Sequence, residues 1–206
     1  YMLYRLPRET VARCLFPLGE EPDKDAVRTE ARSRSLGVSE KPDSMDICFI
    51  PDGDVPGWLA RRGAALPPGD FVDENGKVLG RHKGLHCYTV GQRKGLGVAA
   101  EGRLFVQALD PVKNQVVLSL HDVYRKTVRL TGTHYIAPEY AANGPFSCEV
   151  RVRFSAKSDR ATVYPAGDTA VIAFDEAVRA PAAGQSAVFY DGDIVIGGGF
   201  IEDAAE

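Results

Sequence analysis

Four cysteines in 206 residues, at positions 14, 48, 87 and 148, lie too far apart for a C-x-x-C pair, and no histidine falls at a spacing that completes a zinc site with them. Neither a structural metal nor a disulfide framework is therefore expected. No apolar run approaches the roughly 18 to 20 residues that span a bilayer, and nothing at the start resembles a secretory signal. No membrane association is expected, and the cytoplasm is the default setting. G-x-x-x-x-G-K-[ST] is missing, which removes a triphosphate loop of that kind, and so is G-x-S-x-G, which removes a nucleophile elbow. His82 and His86 stand four apart, but no glutamate is placed as in H-E-x-x-H and no third ligand lies nearby, so they read as structural histidines. No carboxylate pair stands out from the solvated background. Cys48 is left as the one credible nucleophile.

What is present is enough for a core: 44% of the chain is hydrophobic and 26% charged, room for one or two domains. The chain opens on Tyr1 in mid-pattern, Y-M-L-Y-R-L, and reads as the downstream part of something longer. A net charge of -3 conceals a segregation. Residues 51–160 hold sixteen Lys/Arg against eleven Asp/Glu, whereas residues 161–206 hold only Arg179 against eight acids. Between Lys77 and Ala100 stand Lys77, Arg81, Lys83, Arg93 and Lys94 with no acid. A locally positive surface follows, serving either as a solvated face or as a phosphate contact.

The first third reads as helical. Pro7 suits a first turn, R-E-T-V-A-R-C-L-F follows and Pro17 stops it; a second helix covers Asp23 to Ser35, with Gly37 placed to end it. I-C-F-I is a short extended run, and V-P-G-W-L-A-R-R-G forms one more short helix that carries Trp58 inward. After Pro67-Pro68-Gly69 the period changes to that of strands, with Asn75-Gly76 marking a hairpin. Strands are expected near 104–109, 115–120, 126–136, 146–154, 161–164, 170–174 and 187–190, and Asp191-Gly192 turns into D-I-V-I-G-G-G-F-I. The fold class expected is mainly β with an N-terminal helical segment: a small central β domain, then a C-terminal six-stranded antiparallel β-barrel. The division expected is 1–53, 54–121 and 122–206. In E-V-R-V-R-F, alternation sets Glu149, Arg151 and Arg153 on one face and Val150, Val152 and Phe154 on the other. That arginine face meets either solvent or an RNA backbone.

Two stretches carry candidate chemistry. Cys48 sits in D-S-M-D-I-C-F-I, where a thiol among strand formers is either a buried small hydrophobe or a nucleophile activated by a local positive field. In G-Q-R-K-G-L-G, glycines 91, 95 and 97 let backbone amides turn outward toward an anion while Arg93 and Lys94 add charge for a phosphodiester.

D-S-M-D-I-C-F-I, then G-x-H-x-G-L-H-C-Y-T-V-G-Q-R-K-G-L-G from Gly80, G-Q-S-A-V-F-Y at 184–190 and G-G-G-F-I-E at 197–202 together resemble the tRNA-specific 2-thiouridylase family, across nearly the whole chain and in order. The resemblance implies an enzyme with an N-terminal ATP pyrophosphatase domain, of which 1–53 is the helical tail, followed by the two β domains. It implies that ATP, with Mg, adenylates the C2 oxygen of the wobble uridine and that sulfur from a cysteine persulfide replaces that oxygen. Of two cooperating cysteines one lies upstream, and the second is Cys48, as carrier of the terminal sulfur. It further implies tRNA contacts in the anticodon region through Arg153, Phe154 and Gln185, to which charge adds Arg93 and Lys94, and an upstream sulfur-relay or cysteine desulfurase protein as partner. The family often has tyrosine where this chain has Phe154. The S-G-G-V-D-S type phosphate loop and the upstream cysteine are not in this sequence. The chain alone is accordingly expected to bind no cofactor and to be inactive. The alternatives are a non-catalytic barrel module that binds RNA, as in translation-type factors, and a nucleotide-binding barrel of the flavokinase type.

Overall fold

The computed structural model describes residues 1–42, 49–50, 52–154 and 157–203. The expected nucleophile, Cys48, lies outside them. Contacts divide the chain into two compact units, one of residues 9–64 and one of residues 1–8 with 65–206.

The smaller unit is helical. Only one turn, α1 (Arg8–Val11), forms where a longer helix is expected to run toward Pro17. It buries no residue, and a helix without an apolar face against a partner has little beyond propensity to extend it. α2 (Lys24–Ser33) starts where Asp23 accepts a hydrogen bond from the Ala26 amide at 2.8 Å, which satisfies one of the free first-turn donors. It ends with Ser35 in the left-handed region, φ 55°, two residues before the glycine expected to do so. α3 (Val55–Arg61) is capped by Asp54. Trp58 is half-buried, its ring 5.5 Å from that of Phe49 and 4.2 Å from the Arg62 guanidinium.

In the larger unit, β1 (Gly69–Val72), β2 (Val78–His82), β3 (Phe105–Asp110) and β4 (Gln115–Ser119) form a sheet of order β2-β1-β4-β3. β1 runs parallel to β4 and the other neighbours are antiparallel. The expected hairpin joins β1 to β2, where the Asp73 carboxylate accepts from the amides of Asn75 and Lys77, both at 2.9 Å. Phe71, Val106, Val116 and Leu118 make its core with Leu85, Tyr88 and Leu96 from the segment after β2. His82 is buried; its Nδ1 accepts from the Gly84 amide at 3.0 Å, which leaves Nε2 to donate to the Asn114 carbonyl at 3.1 Å. His86 accepts from the Leu66 amide. Both histidines are structural, as their sequence context predicts.

β5 (Tyr124–Tyr135), β6 (Phe146–Arg151), β7 (Asp159–Ala166), β8 (Thr169–Arg179), β9 (Ser186–Asp191) and β10 (Ile194–Asp203) close into an antiparallel barrel of order β10-β5-β8-β7-β6-β9. The expected fold class is the one observed. Alternation puts Val128, Leu130, Val150, Val163, Ile172, Phe189 and Ile196 into a fully buried interior. A one-turn helix of five residues, α4 (Pro138–Ala142), interrupts the β5–β6 connection. Residues 1–6 clip onto the outside of the barrel: Tyr4 is buried against Val188 and Tyr190, and the Tyr1 hydroxyl donates to the Ser186 carbonyl at 2.6 Å. Arg5 donates to the Gly132 carbonyl at 3.1 Å.

Candidate nucleic-acid interface

In an antiparallel barrel the strand ends alternate between two rims. One rim gathers the starts of β5, β7 and β9 and the ends of β6, β8 and β10. The register fixes its neighbours: Tyr124 pairs with Arg179, Val150 with Asp159, and Arg151 with Val188. The chain leaving β6 therefore passes the start of β9, which brings Arg153 and Phe154 to the same rim as Gln185. Three of the five expected RNA contacts converge there.

The other two reach the neighbourhood through the segment 89–98. Gly91, with φ 81°, packs so closely on Ala180, the residue after β8, that a Cβ at position 91 would overlap the alanine methyl. Arg179 also reaches the Gly91 carbonyl at 3.4 Å. Gln92 braces the loop from within, accepting from the Thr89 amide and donating to the Lys94 carbonyl, each at 3.0 Å. The structure corrects one detail of the sequence reading. The amides of Gly91 and Gln92 do not face outward; they donate to the carbonyls of Val106 at 2.8 Å and Thr89 at 2.9 Å. The charge this loop offers is that of the exposed Arg93 and Lys94 side chains.

The expected two-faced strand E-V-R-V-R-F is a second correction. Regular pairing ends at Arg151, so alternation stops there: Val150 and Val152 are buried, but Phe154 is 70% exposed instead of pointing inward. Its ring meets that of Tyr1 edge-on at 5.9 Å. An outward aromatic beside an arginine suits stacking on a base better than core packing.

Which cations are available matters more than how many there are. Arg151 is committed: Nε donates to the Ser158 hydroxyl at 3.0 Å and the guanidinium lies 5.1 Å from the Tyr190 ring centre. Arg179 is committed to Asp122 at 2.6 Å. Arg93, Lys94, Arg153 and Lys157 hold no side-chain hydrogen bond or ion pair among the described residues, and can meet phosphates without breaking an internal contact. Sequence reasoning passed over Lys157 because it follows the strand motif. Gln185 is half-buried; its backbone is tied to Ala182 and Ile201, and its side-chain oxygen is buried without a partner among the described residues.

Two of the described thiols, Cys87 and Cys148, are held in their protonated form by burial. Burial pushes Cys148 up to about 12, and burial raises Cys87 above its ordinary value against the opposing field of Lys83. Among the described residues no cluster of three or more His, Cys, Asp or Glu is arranged to hold a metal ion, and no helix is long and apolar enough to cross a membrane.

Three family models match in succession: a tRNA methyl transferase HUP domain at residues 1–52, a tRNA methyl transferase PRC-barrel domain at 58–120 and an aminomethyltransferase beta-barrel domain at 125–201. The chain is 41% identical over 204 residues to the tRNA-specific 2-thiouridylase MnmA of Clostridium acetobutylicum, covering 98% of this chain and 57% of the relative. It is 40% identical over 205 residues to that of Clostridioides difficile, covering 98% and 56%. Thus the chain spans a little over half the length of these curated relatives.

Proposed function

This chain belongs to the tRNA-specific 2-thiouridylase family, and from that premise we propose that it is the sulfur-carrying and tRNA-gripping part of a tRNA-uridine 2-sulfurtransferase acting on C2 of the wobble uridine. The family models carry the word methyl transferase, but the relatives that match 98% of this chain are named for thiolation, and the reading follows them. The observation that carries it is the gathering of Arg153, Phe154 and Gln185 on one barrel rim, with the uncommitted Arg93 and Lys94 held beside it through Gly91 and Ala180. Cations supply affinity for the phosphate backbone, an exposed ring supplies stacking, and a glutamine supplies hydrogen bonds to bases or ribose.

In this reading Cys48 carries the terminal sulfur of a persulfide, delivered by an upstream sulfur-relay or cysteine desulfurase protein. In the intact enzyme, ATP with Mg would supply the activation of the C2 oxygen. The residues of this chain do not fit that nucleotide: the sequence has no phosphate loop, and the amides of Gly91 and Gln92 are spent on protein carbonyls. In this reading the chain holds the anticodon region and carries the reacting sulfur, which attacks as its anion.

The deciding experiment is Cys48→Ser in the intact protein, followed by mass spectrometry of the protein and of its tRNA product. The expected outcome is loss of both the extra sulfane on the protein and the 2-thiouridine, with tRNA affinity unchanged. Full thiolation by the variant would favour the non-catalytic barrel module instead.

A further inference from the structure

Tyr124 opens β5 and is 52% exposed. Among the described residues its ring has no aromatic or cationic partner and its hydroxyl no hydrogen bond. A single exposed tyrosine needs no explanation in itself. This one, however, walls a groove of about 340 Å³ on the same rim, whose other sides are Val152, Arg153, Lys157, Asp159 and Arg179. Arg179 is bound to Asp122, so the groove presents two uncommitted cations, one carboxylate and one open aromatic face.

That combination matches one kind of ligand. An unpaired nucleotide has a flat π-face to lay on a ring and an anion to set against a cation, while its base amino and ribose hydroxyl groups can donate to a carboxylate such as Asp159. An acidic peptide would use the cations but leave the ring idle.

We infer that Tyr124 and Lys157 form a nucleotide subsite that continues the surface of Arg153, in which one unpaired tRNA base stacks on Tyr124 while its phosphate meets Lys157 and Arg153. The inference rests on the tRNA reading above. It adds a second stacking position, with a phosphate contact of its own, to the surface of Arg153 and Phe154.

Stacking and ion pairing respond differently to salt, which makes the site testable. In the intact protein, with tRNA binding followed by fluorescence anisotropy across a salt series, Tyr124→Ala weakens binding roughly 5- to 100-fold with the salt slope unchanged. Tyr124→Phe retains affinity because the ring is kept. Lys157→Ala and Arg153→Ala each lower the slope by about one. Tyr124→Ala binding like the parent, or Tyr124→Phe failing as badly as alanine, overturns the subsite. Thermal melts of both tyrosine variants that match the parent show that the change is local. If the parent protein itself binds no tRNA, the tRNA reading fails instead, a separate outcome.

Discussion

Gly198 is glycine because two things occupy the space a side chain would need. A Cβ there would overlap the Ala187 carbonyl of the neighbouring strand and come within 2.9 Å of the Tyr4 ring, one of the few buried contacts made by the N-terminal clip. Gly198→Ala is therefore expected to cost about 1–3 kcal/mol, as an extra methyl forced into a filled site does. Gly80→Ala is the control: its Cβ would find only ordinary contacts, 3.6 Å from Val98 and 4.0 Å from Phe71, and its stability should stay within about 1 kcal/mol of the parent. Urea unfolding of the pair checks this, and equal losses would remove the steric explanation. The run G-G-G-F-I-E is legible in the sequence as a family motif, but its reason is not. Part of that reason at Gly198 is Tyr4, almost 200 positions away in the chain, and no local pattern connects the two.

At the scale of elements, what could be read was whatever has a local cause. α2 could be placed because Asp23 is a capping residue followed by helix formers, and β1–β2 because Asn75-Gly76 demands a tight turn. The same local cause makes a prediction: Asp23→Ala removes the acceptor of the Ala26 amide and should destabilise α2 by ~1 kcal/mol. Hydrogen exchange should then quicken across the first turn of α2 while the barrel strands keep their protection; uniform loss of protection would contradict a capping role. Elements with remote causes were misread. α4 is one turn long, too short for a periodic signal, and is held by the Tyr140 hydroxyl donating to Asp191 at 2.7 Å across the chain. Alternation set Phe154 on the face of Val150 and Val152 because the pattern continues in the sequence past Arg151, where β6 ends. Its outward turn is what leaves its ring open for the stacking proposed above. Arg153, Phe154 and Gln185 were thus identified from family motifs alone, and their shared rim follows from strand register, which only pairing partners specify.

Among the described residues, a seam between the four-stranded sheet and the barrel runs through Arg179 and Ala180. Arg179 at the end of β8 binds Asp122 and reaches the Gly91 carbonyl, while Ala180, at φ 47°, donates its amide to Val123 at 2.9 Å and seats its methyl on Gly91. A non-glycine residue held in the left-handed region is mildly strained, and the seam must supply the contacts that keep it there. Arg179 matters most, since its loss leaves Asp122, 21% exposed, without its cation. Arg179→Met is accordingly expected to destabilise the seam by about 1–2 kcal/mol and, more tellingly, to uncouple what it joins. Amides in the cores of β4 and β8 should exchange with one common free energy in the parent and with two different ones in the variant. If Arg93 and Lys94 meet phosphates as proposed, tRNA affinity should fall as well, yet with an unchanged salt slope, since Arg179 would orient those groups without being a phosphate ligand itself. A slope reduced by about one would instead make Arg179 a phosphate ligand. Affinity and exchange both unchanged would mean that the loop and the rim are positioned by contacts other than these.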